Sequence, residues 1–186
     1  MKDPNFLKKY QNYHDKNIAL IGHMGSGKST IGKLIAKKLK LRYLDSDQLI
    51  EKNTNKTIYE IFKSDGETKF RTIEESTILS LKNKKNLVLS LGGGSIISAK
   101  VRQLLNKNYI TLFLDIDLSI LVKRLKYSNK RPLIAGQDIE TKIKELDIFR
   151  RKYYLLADII LKEYDNPSET LINFLIKYKK LNEKNY

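Results

Sequence analysis

Short apolar runs alternate along this chain with longer stretches whose apolar positions recur every three or four residues. The runs are Asn17–Ile21, Leu41–Leu44, Leu87–Leu91, Tyr109–Leu114 and Asp158–Leu161. They are rich in Ile, Leu and Val and read as strands. Between the first two, Ile31, Leu34, Ile35 and Leu39 recur at helical spacing, so a helix opens at about Lys28. The same periodicity predicts helices over Thr68–Lys82, Ala99–Asn106, Leu118–Tyr127, Ile139–Leu156 and Glu169–Lys180. Ser98, Asp117 and Ser168 stand where N-caps are expected for three of them. Strands alternating with helices build a parallel sheet covered by helices. Five strands with crossovers of this length predict an α/β fold with a doubly wound five-stranded parallel sheet, whose ligands sit at the carboxyl ends of the strands. No internal repeat or Pro/Gly-rich linker divides the 186 residues, which suit one domain with a sizeable core.

Composition adds exclusions. With 41% hydrophobic and 31% charged residues the chain is ordinary for a globular protein. No apolar stretch approaches the roughly 18 residues of a membrane span. The opening MKDPNFLKKYQNYHDKN has no apolar core of a secretory signal; it carries Asp3 and Asp15 and lacks Arg, so residues 1–16 read as a basic arm rather than a targeting peptide. The absence of cysteine excludes disulfides, thiolate metal sites and cysteine catalysis, and suits a cytoplasmic protein. The net charge of +15 invites a nucleic-acid reading. However, the excess is mostly lysine at helix-surface and tail positions such as Lys2, Lys8, Lys9, Lys177, Lys179, Lys180 and Lys184, without interleaved aromatics. No specific nucleic-acid or membrane partner is expected, and attraction of anionic substrates is a by-product.

The strongest chemical signal is Gly22-His-Met-Gly25-Ser26-Gly27-Lys28-Ser29, a complete G-x-x-x-x-G-K-[ST] phosphate loop between a strand and a helix. Glycines let the backbone wrap a phosphate with its N–H groups inward, and the helix N-terminus adds a positive field. Lys28 then meets β- and γ-phosphate oxygens, and the Ser29 hydroxyl is placed to ligate Mg²⁺. The loop alone does not separate a kinase from a GTPase or a motor ATPase. However, no N/T-K-x-D guanine-reading pattern is present, and the chain is short for a motor core.

Four further segments carry candidate chemistry, the first of them facing the same edge as the phosphate loop. Asp45 and Asp47, two apart on an extended segment after the second strand, suit a division between metal shell and proton acceptor, or else a strand-end turn with an N-cap aspartate. Gly92-Gly93-Gly94 after the third strand permits close backbone approach to a ligand, where a plain turn seldom needs three glycines. Arg71 and Glu74 can pair on one helix face, a motif also common at surfaces. Arg131, in the polar segment Ser128–Asp138, is either a phosphate clamp on a loop or a solvated charge.

In order, these segments resemble the shikimate kinase family: Gly22–Ser29, Leu44-Asp-Ser-Asp47, Asp65-Gly-Glu-x-x-Phe-Arg71-x-x-Glu74, Leu91-Gly-Gly-Gly94, Arg131-Pro-Leu133 and Arg150-x-x-x-Tyr154-x-x-Ala157-Asp158. The resemblance covers about Asn17 to Tyr178. It implies a P-loop kinase of the nucleoside-monophosphate-kinase-like type, monomeric and cytoplasmic, that uses ATP and Mg²⁺ to phosphorylate the shikimate 3-hydroxyl on the route to chorismate and the aromatic amino acids. It implies a domain over 17–180, with a substrate-binding part at 46–83, a lid at 126–138 and a tail at 181–186. Gly22, Gly25, Ser26, Gly27, Lys28, Ser29 and Thr30 would hold phosphates, and Arg124, Asn166 and Pro167 would flank adenine. Asp45 would stand in the metal's water shell beside Ser29. Asp47 would bind acceptor hydroxyls and act as base. Arg71 and Arg150 would grip the substrate carboxylate, with Gly92, Gly93 and Gly94 as one wall. Lys28 and Arg131 would stabilise the transferring phosphoryl group. The chain departs from the family in its long arm, in Arg151 and Lys152 after Arg150 where a proline is usual, and in a lid that matches only through Arg131-Pro132-Leu133. Another small-molecule kinase of the same fold, a ligand sensor without turnover, and a nucleic-acid-binding ATPase are the rival readings.

Overall fold

The computed structural model describes residues 16–126, 138–162 and 166–183. The elements run β1 (Asn17–Ile21), α1 (Lys28–Leu39), β2 (Arg42–Asp45), α2 (Ser46–Thr54), α3 (Ile58–Leu79), β3 (Leu87–Ser90), a 3-10 turn at Ser95–Ile97, α4 (Ala99–Asn108), β4 (Tyr109–Asp115), α5 (Leu118–Lys126), α6 (Ile139–Tyr154), β5 (Ile159–Lys162) and α7 (Pro167–Glu183). The five strands form one parallel sheet, as the periodicity predicts, and its order is β2-β3-β1-β4-β5. Strand order reverses about β1, so the crevice at its carboxyl end is the topological switch point where ligands bind in such sheets.

Both faces of the sheet are covered, and side-chain alternation decides which residue goes where. Ile18, Leu20, Val88, Ile110 and Leu112 pack with Ile31, Ile35 and Ala36 of α1 and Phe174 of α7. Ala19, Ile21, Leu89, Leu91, Tyr109 and Phe113 pack on the other side with Ile78, Val101, Leu105 and Tyr154. A small separate cluster of Ile50, Ile61 and Phe70 joins α2 to α3.

Several expectations are corrected. Two strands begin one residue later than predicted, at Arg42 and Ile159. Asp47 is not on an extended segment: it lies in the first turn of α2, and Asp45 is that helix's N-cap, accepting from the Asp47 N–H at 3.0 Å. Helix α2 and the first half of α3 are additional elements, and α3 begins at Ile58 rather than Thr68. Its start is marked by a Thr57/Glu60 capping box. Gly66, at φ 77° and ψ 172°, breaks the helix into two segments. Ser168 is not an N-cap, because α7 starts at Pro167 and Asn166 caps it through the Glu169 N–H. Ser98 and Asp117 do cap their helices, accepting from the N–H groups of Val101 and Ser119.

Candidate active site

The loop between β1 and α1 owes its path to glycines in the left-handed region, at Gly22 (φ 139°), Gly25 (φ 78°) and Gly27 (φ 90°). Gly27 is the N-cap of α1, so the free amides of that helix open toward the loop. The Lys28 ammonium folds back over the loop and donates to the carbonyls of Gly22 at 2.9 Å and His23 at 2.6 Å. Ser29 Oγ donates to Asp45 Oδ2 at 2.9 Å, and Tyr43 donates to the same oxygen at 3.1 Å. A cleft of about 250 Å³ is lined by Gly25, Gly27, Lys28, Ser29, Thr30, Asp45, Asp47, Gly92 and Gly93.

The triple glycine after β3 is where the site converges, and the reason is space rather than backbone strain. A β-carbon on Gly92 would stand 2.7 Å from both Asp47 Oδ1 and Glu74 Oε1. One on Gly93 would meet the Gly22 carbonyl at 3.2 Å and Arg150 at 3.5 Å, and one on Gly94 would run into the Arg71 guanidinium. Three bare backbone positions therefore let two carboxylates, two guanidiniums and the phosphate loop approach one ridge. The ridge is anchored by Ser46 Oγ, which accepts from the Gly92 N–H at 2.8 Å, and by Tyr154, which donates to the Gly93 carbonyl at 2.6 Å.

Arg71 is aimed by its helix. It donates to Glu74 Oε2 at 2.7 Å and to Glu67 Oε1 through Nη2 at 2.9 Å. Burial works against its charge, but Glu74 and Glu67 outweigh that and raise its pKa. Glu74 is itself buried and accepts from Ser95 Oγ at 2.7 Å. Arg150 is only 2% exposed, and its Nε has no hydrogen-bond partner among the described residues. Burial pushes its pKa down, and the like charge of Arg71 adds to this against the pull of Tyr154. The Tyr154 hydroxyl is pushed up to about 12, by burial above all. Arg151, one residue on, points elsewhere, to Asp115 at 3.0 Å and Asp147 at 3.4 Å.

On the other side of the loop, a cleft of about 300 Å³ is lined by Gly25, Ser26, Gly27, Thr30, Ile116, Arg124, Lys162, Asn166, Pro167 and Thr170. Arg124 Nη1 donates to the Gly25 carbonyl at 3.3 Å. Arg131 and most of the expected lid, residues 127–137, lie outside the described residues, as does most of the arm. Sequence reasoning missed Ser46, Ser95, His23 and Asp147. The first two are small polar residues beside named motifs, and the last two meet across 124 positions, with no local signal.

The Shikimate kinase family model matches residues 24–179. The shikimate kinase of Bartonella quintana is 40% identical over 174 residues, covering 90% of this chain and 83% of that protein. That of a Sulfurihydrogenibium species is 41% identical over 166 residues, covering 89% and 99%. Among solved structures, the Acinetobacter baumannii shikimate kinase in complex with shikimate superposes with a TM-score of 0.84 at 33% identity, covering 90% of this chain and 94% of that one. A gluconokinase from Sinorhizobium meliloti shares the fold, with a TM-score of 0.60 at 16% identity. By its sequence, its strand order and its phosphate loop, the chain belongs to the shikimate kinase family.

Proposed function

We propose that the protein transfers the γ-phosphoryl group of ATP to the 3-hydroxyl of shikimate, giving shikimate 3-phosphate and ADP in aromatic amino acid biosynthesis. The observation that carries this reading is the glycine ridge, where a half-buried carboxylate and two guanidiniums face a phosphate loop a few residues away in space. The buried Arg150 guanidinium, beside the like charge of Arg71, is relieved by an anionic ligand, and a planar carboxylate is the anion that arginine forks fit. Arg71 and Arg150 thus hold the carboxylate of shikimate, while Gly92, Gly93 and Gly94 form the wall that lets the ring lie close. Asp47 accepts the proton of the attacking hydroxyl, whose oxygen then bonds to the γ-phosphorus as the bond to the bridging oxygen breaks. Lys28 and the loop amides of Gly22, Gly25, Ser26, Gly27, Ser29 and Thr30 take up the charge that develops on the phosphates. Arg124, Asn166 and Pro167 frame the cleft for adenine, and Arg131, from the lid at 126–138, completes the charge on the transferring group.

The pair Ser29 Oγ and Asp45 Oδ2 is a hard oxygen donor set, suited to Mg²⁺. Among the described residues no group of three or more His, Cys, Asp or Glu could hold a metal by itself. Ser29 would hold Mg²⁺ through its hydroxyl, with the Asp45 carboxylate standing behind it in the water shell. The ion would supply charge neutralisation for the nucleotide's phosphates. No helix among the described residues is long and apolar enough to cross a membrane. A cytoplasmic monomer, with the substrate-binding part at 46–83 and no nucleic-acid partner, completes the reading.

The test is ADP release by the purified chain with shikimate, gluconate and nucleoside monophosphates in parallel. Shikimate alone should support turnover. Turnover on gluconate without shikimate would put the protein among the other kinases of this fold.

A further inference from the structure

The phosphate loop contains a titratable side chain that phosphate chemistry does not use. His23, its second residue, is turned inward and 3% exposed. Its Nε2 lies 2.8 Å from Asp147 Oδ1 on α6. A carboxylate can only accept, so Nε2 carries the proton and Nδ1 is the bare nitrogen, which has no hydrogen-bond partner among the described residues. The imidazole also stands edge-on to the Tyr154 ring, with centroids 5.0 Å apart. The backbone carbonyl of the same residue accepts from Lys28 at 2.6 Å.

Asp147, Arg150 and Tyr154 follow one another at helical spacing on α6, so they share a face. Arg151 reaches back to Asp147 and across to Asp115 at the end of β4. Asp147 is thus the point at which the phosphate loop, α6 and the sheet edge are tied together. One turn beyond it, Arg150 reaches the glycine ridge, and one further turn on, Tyr154 bonds the Gly93 carbonyl.

We infer that His23 is a positioning residue: through Asp147 it fixes the axial placement of α6 against the phosphate loop, and so sets where the Arg150 guanidinium meets the acceptor's carboxylate. The inference rests on the assignment of Arg150 to that carboxylate. The bond is short, charge-assisted and shielded from water, which makes it stiff. It also joins the two halves of the site by a route independent of the sheet. Its loss lets α6 settle differently, and the fork of Arg150 no longer matches the carboxylate. Partial loss of a charge-assisted fork weakens carboxylate binding on the order of tenfold.

The experiment is steady-state kinetics on His23→Ala, Asp147→Ala, the double variant and His23→Gln, with Arg150→Ala alongside. His23→Ala and Asp147→Ala should each raise the KM for shikimate on the order of tenfold, with the KM for ATP within about twofold. The double variant should be no worse than either single one, because both remove the same bond. His23→Gln, whose amide N–H can still reach Asp147, should restore the shikimate KM to within about threefold. If Arg150→Ala is damaging but His23→Ala leaves the shikimate KM unchanged, the inference is overturned and the site assignment stands. If Arg150→Ala is itself silent, the assignment of the carboxylate falls first. A double variant whose effect is the product of the singles, or an ATP KM that rises in step with that for shikimate, also overturns it. Should the alanine variants fail to fold, nitrogen-15 NMR of the native protein decides. The chain has two histidines, so removing His14 assigns the signals. The Nε2–H tautomer of His23 is expected, and the Nδ1–H tautomer would refute the bond.

Discussion

Adding a single methyl group to the glycine ridge tests the site more sharply than removing a charged group. In Gly92→Ala the new carbon would stand 2.7 Å from Asp47 Oδ1 and from Glu74 Oε1, against the 3.4 Å at which ordinary contact begins. About 0.7 Å must be recovered. Glu74 cannot supply it, because it is buried and held by Arg71 and Ser95, both at 2.7 Å. With Glu74 held, the clash on its side is relieved only by a shift of the ridge against the Ser46 bond to the Gly92 amide, and the clash on the other side by Asp47, which moves away from the hydroxyl it has to deprotonate. A shift of this size corresponds to a fall in kcat of about 10- to 100-fold, while overpacking of this kind destabilises the fold by about 1–3 kcal/mol. Affinity for an unhydrolysable ATP analogue should hold within about threefold, since the phosphate loop is not displaced. The assay is steady-state kinetics with calorimetric nucleotide binding and thermal unfolding. Ile78→Val, on the buried face of α3, serves as a control that costs about 0.5–1.5 kcal/mol without touching the site. A Gly92→Ala enzyme with kcat within about twofold of the native value would show that Asp47 is not the group on which the chemistry depends.

Asp47→Asn keeps the shape but removes the proton acceptor, and kcat should fall by about a hundredfold or more; a rise in KM alone would make Asp47 a binding group. Arg71→Ala and Arg150→Ala should each weaken shikimate binding by about 10- to 100-fold in calorimetry with little change for ATP, as befits charge-assisted bonds worth about 1.5–3 kcal/mol. Arg71→Lys should recover little. Arg151→Ala, which loses a half-exposed pairing to Asp115 and Asp147, should change shikimate affinity less than threefold; if it is as damaging as Arg150→Ala, the wrong arginine has been assigned. Acid should act through His23: burial lowers its pKa below the ordinary 6.5, despite Asp147 and with Arg150 and Lys28 assisting. Between the lowered folded value and 6.5 the unfolded chain binds more protons, so stability rises with pH through that window and is lost as pH falls through it. His23→Gln should show a shallower fall in melting temperature than the native protein over that range, and an identical slope would refute the contribution.

What could be read from one dimension is what local physics fixes. A strand buried on both faces must be an apolar run, so β1, β3 and β4 stand out with their ends nearly in place. A loop that wraps phosphate needs left-handed glycines before a helix, so Gly22, Gly25 and Gly27 are legible as letters. Helix α2 escapes because only Ser46 and Ile50 are buried in it, too few to set a period. The Gly66 break escapes because a glycine within a helical pattern does not state its dihedrals.

The rest is a matter of which distant residues meet. Sequence alone has Gly92–Gly94 approached closely by a ligand; the folded chain shows that Asp47, Glu74, Arg71 and Arg150 approach it first. Arg150 and Arg151 are neighbours in sequence but diverge by about 100° around α6, and packing alone turns one toward the ridge and the other toward Asp115. His23 and Asp147 carry no mark of each other, since a contact across 124 residues is made by the crossovers of the sheet. The sequence by itself thus determined the strands, the phosphate loop and the family, because each depends on neighbours along the chain. The tertiary structure decided the facing of every charge in the site, because burial and pairing depend on neighbours in space.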